Sequence, residues 1–247
     1  MKQHAGSILF GLILGLVAGF IYTARFYNAP PANIAGQTAA TGAPQGGSQS
    51  LPPGHPPLPA EIDIAPLLQH AKSNPKDFKA QFDAAEALYQ SGRFEEAAEY
   101  YKKAHGLAPN QEMTYTVIVS LGNVYFDAAH AANDDTERYK QAEEWYRKAL
   151  EINPKDTNVR TDLGITYFYR NPPEIDKAIA EYQKVLELNP QHPQALQNMT
   201  VAMLKKGDIK GADEMITRLS AIAPGNPVVA QLREDINRMK SGQPLSQ

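Results

Sequence analysis

Cysteine is absent from all 247 residues. That excludes a disulfide framework, thiolate metal ligands, a cysteine nucleophile and a lipid-modified N-terminal cysteine. A large charge of either sign is missing as well. The formal net charge of −3 gives no electrostatic ground for a nucleic-acid partner. Catalytic arrangements are also lacking. The six histidines are scattered, and no two of them stand three or four residues apart. Asn133, Asp134 and Asp135 are not followed by the glycine and glutamate of a calcium loop. There is no phosphate-cradling glycine loop and no Ser/His/Asp set in context. The expectation is a protein without enzyme activity, cofactor or metal.

Charge is missing altogether from two stretches near the N-terminus, and each has its own meaning. Residues 5–24 run for twenty positions without a charge, and ten of them are Leu, Ile, Val or Phe. As a helix that is about 30 Å, the thickness of a bilayer core. Two readings follow: an uncleaved anchor (residues 1–27), or a signal peptide whose removal would release a secreted soluble adaptor. The run exceeds a usual signal-peptide core of about 7–15 residues, which favours the anchor. Lys2 precedes the span and Arg25 alone lies just after it. With the α-amino group, the positive-inside bias places the N-terminus in the cytoplasm and the rest outside it, in a periplasmic setting. Gly11, Gly15 and Gly19 share one face, which suits either a helix dimer or ordinary membrane-helix filler. Residues 28–60 hold eight prolines and five glycines and no Lys, Arg, Asp or Glu. Such a linker buries too little apolar surface to offset its ordering entropy, so it reads as a disordered tether.

What is present from 61 to 240 is helical periodicity, with apolar residues at three and four and proline as punctuation. Residues 241–247 are a short tail. Prolines fall at 75, 109, 154, 190 and 224, and the first and last intervals are both 34 residues. A period of that length means a helix–turn–helix unit stacked on copies of itself. Twelve residues before each proline stand Ala97, Ala142, Ala178 and Ala212. Eight before it stand Tyr101, Tyr146, Tyr182 and Ile216. In the first helices, Leu121, Gly122 and Tyr125 recur as Leu163, Gly164 and Tyr167. A glycine there lets the second helix come close, so Gly164→Leu should cost about 1–3 kcal/mol by overpacking.

These positions resemble the tetratricopeptide repeat family. The resemblance covers about 150 residues as four units, at 78–111, 115–156, 157–192 and 193–226. It implies an all-α, right-handed helix–turn–helix solenoid. Departures are an eight-residue insertion around 128–138, two extra residues at 170–176, and first and fourth units without the Leu-Gly-Tyr stripe. Capping helices are expected at 62–73 and 227–240. In the latter, Val228, Leu232, Ile236 and Met239 would face the stack and Arg233, Glu234, Asp235 and Lys240 water. Glu95–Glu96 and Glu143–Glu144 read as solvated faces.

The resemblance further implies a concave face lined by the first helices that binds protein or peptide segments. Its positions here are Phe82 and Tyr89; Val119, Asn123 and Phe126; Thr161, Ile165 and Phe168, with Tyr169 beside it; and Gln197, Val201 and Leu204. Only Asn123 matches the Lys and Asn pattern with which some members clamp a terminal carboxylate. A partner with bulky apolar side chains is the expectation. Phe82 and Val119 suit packing between adjacent first helices equally well. Other members of this layout assemble envelope or cytochrome complexes, and a small-ligand sensor is the alternative reading.

Overall fold

The computed structural model describes residues 63–243. The predicted anchor, its three glycines and the tether at 28–60 lie outside the described residues, as does the end of the tail. Among the described residues there are ten helices and no strand: α1 (Ala65–Ser73), α2 (Phe78–Gln90), α3 (Phe94–Leu107), α4 (Gln111–Ala131), α5 (Thr136–Ile152), α6 (Thr157–Tyr169), α7 (Ile175–Leu188), α8 (Pro193–Lys206), α9 (Ile209–Ile222) and α10 (Pro227–Lys240). None of these is long and apolar enough to cross a membrane.

The proline punctuation has a direct structural result. A residue before proline is pushed out of the helical region by the proline ring. Accordingly α5 and α7 stop one residue short, with Asn153 and Asn189 out of the helical region ahead of Pro154 and Pro190. The next helix is then restarted by a side-chain cap. Asp77 accepts from the Ala80 amide, Asn110 from Met113, Asp156 from Asn158 and Val159, and Asn226 from Val228. Asp156 also accepts from the Tyr115 hydroxyl at 2.5 Å, so one carboxylate both starts α6 and holds α4. Asp156→Ala should therefore cost about 1–2 kcal/mol, the upper part of the range for a lost cap. A denaturant midpoint unchanged from wild type would refute that.

Each helix packs on the next in the chain, most extensively within the pairs α2–α3, α4–α5, α6–α7 and α8–α9. The alanines at the repeated position, Ala97, Ala142, Ala178 and Ala212, are all fully buried. So are Leu121, Leu163, Tyr146, Tyr167 and Tyr182, with at most a trace of exposure. Tyr125 differs: it is half-buried and has the Lys102 ammonium 5.7 Å from its ring centre. A Cβ added to Gly122 would lie 2.5 Å from Cε1 of Tyr146, and one on Gly164 would strike Tyr182 in the same way. The glycine thus leaves space for the tyrosine of its own pair. In the fourth pair the larger Thr200 stands in the glycine register, and Ile216 stands in place of the tyrosine. The bulk has changed sides.

Three features of the helices go beyond the sequence reading or correct it. Helix α4 begins at Gln111, because Asn110 caps it. The insertion at 128–138 lengthens both flanking helices, to 21 and 17 residues, against 13 or 14 in the other pairs. In α10 the buried stripe is Val229, Leu232, Asp235 and Ile236, with Val228 and Met239 half-exposed. Asp235 was expected in water; spaced three from Leu232, it falls on the covered face and accepts from Gln231 at 3.3 Å.

Candidate partner-binding face

The residues expected to line the concave face divide by exposure. Val119, Thr161, Ile165, Gln197, Val201 and Leu204 are buried. Thr161 spends its hydroxyl on the Thr157 carbonyl at 2.7 Å, and the Gln197 oxygen accepts from Asn226 at 3.4 Å. Phe82, Tyr89, Asn123, Phe126, Phe168 and Tyr169 keep part of their surface. Asn123 is positioned by its own pair, accepting from the Tyr146 hydroxyl at 2.9 Å. Phe82 lies between Phe78 and Tyr101, each ring centre 5.7 Å away. Tyr89 donates its hydroxyl to Asp127, which ties α2 to α4.

The third-pair aromatics belong to a larger group. Phe126 and Tyr139 have centres 5.4 Å apart, Phe126 and Tyr169 6.2 Å, and Phe168 and Tyr169 5.6 Å. Tyr139 and Tyr169 stack at 6.2 Å, and the His130 ring meets Tyr169 edge-on at 5.5 Å. Burial raises the phenol pKa of both tyrosines, and for Tyr139 the hydrogen bond to Asp134 adds to it. Asp134, at φ 63°, turns back to receive His130 Nδ1 at 3.2 Å and the Tyr139 hydroxyl at 2.8 Å. His130, Tyr139, Asp127 and Asp134 were not foreseen as part of the face. The only sequence signal was an unexplained insertion.

The hydrogen bond to Asp134 raises the His130 pKa above its ordinary 6.5, against an opposing effect of burial. A raised folded-state value means the charged form is the one favoured by folding. The stability it adds is fully present below pH 6.5 and is lost as pH rises through the folded pKa. His130→Gln should therefore flatten the melting-temperature profile on the alkaline side of that window. A profile identical to wild type would show that the pair contributes nothing.

Glu143 departs from the expected solvated position. The two extra residues between α6 and α7 carry Arg170 back over α5, where it is 6% exposed and bonded to both Glu143 and Glu174. Glu143 also accepts from Arg147 at 2.8 Å and from the Tyr167 hydroxyl at 2.7 Å. Burial disfavours its charge, but these donors outweigh it and bring its pKa down to about 2. Burial, then the bond to Glu143, pushes Tyr167 up to about 12. Among the described residues no cluster of three or more His, Cys, Asp or Glu is placed to hold a metal ion.

The geometry defines an all-helical repeat protein that presents aromatic side chains along the first helices of successive pairs. More particularly, it is a tetratricopeptide-repeat protein: one family model, described as Tetratricopeptide Repeats-Sensor, matches residues 62–161, and another, Tetratricopeptide repeat, matches 174–236. The Photosystem I assembly protein Ycf3 of Synechococcus sp. (strain WH7803) is 36% identical over 85 residues, which are 34% of this chain and 47% of that protein. The human Protein O-mannosyl-transferase TMTC1 is 24% identical over 177 residues, 62% of this chain and 20% of that one. The chain thus spans about a fifth to a half of the length of these relatives. In fold it is similar to MamA from Desulfovibrio magneticus RS-1, with a TM-score of 0.55 and 21% identity over 66% of this chain and 85% of that one.

Proposed function

We infer that this chain is a membrane-tethered scaffold that holds protein or peptide partners on the face of its first helices. In this reading the four helix pairs are four repeat units, wound right-handed and closed by α1 and α10. Residues 5–24 anchor the domain in an inner or plasma membrane, with the N-terminus cytoplasmic and the repeats outside. Gly11, Gly15 and Gly19 would bring two anchors together.

The observation that carries the reading is the row of partly exposed aromatics: Phe82 and Tyr89 on α2, Phe126 on α4, Phe168 and Tyr169 on α6. Rings held in place by neighbouring rings offer large apolar contact at little entropic cost. A segment with bulky apolar side chains fits such a row. A role in assembling protein complexes is in keeping with the name of Ycf3. Mannosyl transfer is not carried over from TMTC1, of which only a fifth is matched.

Photo-crosslinking in native membranes tests this, with the probe at Phe168 and a control at exposed Gln183 on α7. A discrete adduct from position 168 alone is the expected result. Equal labelling at both, or none, would remove the face from consideration. Retention of the intact mass in carbonate-washed membranes tests the anchor against a released, secreted form.

A further inference from the structure

The corner built by the 128–138 insertion has a chemistry that the aromatic row alone does not explain. Several carboxylates at helix contacts elsewhere in the domain are matched by a cation. Glu143 and Glu174 share Arg170, Glu181 has Arg160 and Lys184, Asp176 has Lys206, and Asp213 has Lys240. Asp127 and Asp134 are different. Neither forms an ion pair with a lysine or arginine among the described residues. Asp127 receives the Tyr89 hydroxyl, and the ion-pair partner of Asp134 is His130, which is charged only when protonated.

The two carboxylates flank a set of rings. Asp127 follows Phe126 directly on α4, and its charge is felt by both His130 and Tyr139. Phe126, Phe168 and Tyr169 all keep exposed surface there, with centres 5.6–6.2 Å from the shared Tyr169 ring. Burial raises the Asp127 pKa, which is the signature of a carboxylate short of positive charge. Ring faces attract a cation through their quadrupoles, and two carboxylates without a lysine or arginine partner attract it through its charge. Arginine suits both, since its planar guanidinium stacks on a ring while donating sideways to a carboxylate.

We propose that the corner formed by Phe126, Phe168, Tyr169, Asp127 and Asp134 is a pocket for a lysine or arginine side chain of the partner segment. This rests on the reading of the aromatic face as the partner-binding surface, and it adds the requirement for a basic anchor beside the apolar ones. It also gives the insertion a purpose: lengthening α4 and α5 carries His130, Asp134 and Tyr139 to the rim of that surface. Protonated His130 would place a positive charge in the same corner, so it competes with the incoming cation. The groups that meet His130 are Asp134, Asp127 and the Tyr169 ring.

The test pans a random peptide display library on the full-length chain in detergent, beside Asp127→Asn and Asp134→Asn forms. Asparagine keeps the shape at position 127 and still accepts from Tyr89, and thermal unfolding checks that each form is folded. Binders to the wild type should carry Lys or Arg at one fixed position next to apolar residues. Replacing that residue by citrulline or norleucine should weaken binding roughly tenfold, the range of a desolvated cation–ring contact. Panning on the Asp127→Asn form should lose the basic position and keep the apolar ones. Apolar binders without a basic preference, or a preference unchanged in both variants, would overturn the pocket while leaving the aromatic face standing. Absence of any binder would overturn the pocket and the aromatic face together.

Discussion

Replacing Glu143 by alanine is expected to destabilise the domain by about 3–5 kcal/mol, the usual cost of removing one partner from a buried ion pair. The size follows from what remains. Arg170 is 6% exposed and would keep only Glu174 as its anionic partner. Its Nε already has no hydrogen-bond partner among the described residues. Arg147 and the Tyr167 hydroxyl would lose an acceptor in the same step. The pKa points to a similar figure: a fall from 4.5 to about 2 corresponds to roughly 3 kcal/mol favouring the charged form in the folded state. Because the folded value is depressed, this stability is present above pH 4.5 and is lost as pH falls through about 2. Glu143→Gln should accordingly lose stability at neutral pH and show a shallower acid transition. Glu144→Ala, one residue along and exposed, should change stability by less than about 0.5 kcal/mol. Equal effects at 143 and 144 in urea unfolding would refute the network.

The second large effect is expected at Gly164. A Cβ alone would collide with the Tyr182 ring, which is 1% exposed and held on all sides. Gly164→Leu adds three further carbons and should cost about 3 kcal/mol, the upper end for overpacking. The fourth pair supplies the rescue. Thr200 and Ile216 occupy the registers of Gly164 and Tyr182 and are both fully buried. Moving that pair into the third unit, as Gly164→Thr with Tyr182→Ile, should recover much of what Gly164→Thr loses alone. The double-mutant coupling should reach about 1 kcal/mol or more. Strict additivity would mean that the two positions do not share their space.

These two positions differ in how they could be read. Gly164 was legible because the repeat aligns it with Gly122 and sets both against a tyrosine in register. Glu143 was not, because its partner Arg170 is 27 residues away and arrives through an insertion that the repeat does not predict. The candidate face divides along the same line. The aromatics on the first helices follow from the family resemblance, which assigns the face by position in each unit. The carboxylates Asp127 and Asp134 join them only because α4 and α5 are extended and a left-handed turn at Asn133 and Asp134 folds the chain back. Asp235 failed for a related reason: spacing alone left the stripe of α10 free to rotate by one residue, and packing fixed the rotation.

The sequence by itself determined where helices stop and restart, since proline and capping residues act on their nearest neighbours. It also determined which positions must be small, because the 34-residue spacing makes each unit repeat the same close approach. The tertiary structure alone decided which charges are paired, which aromatics keep exposed surface and where the insertion goes. Those depend on side chains tens of residues apart, whose distances are set by how successive helices pack.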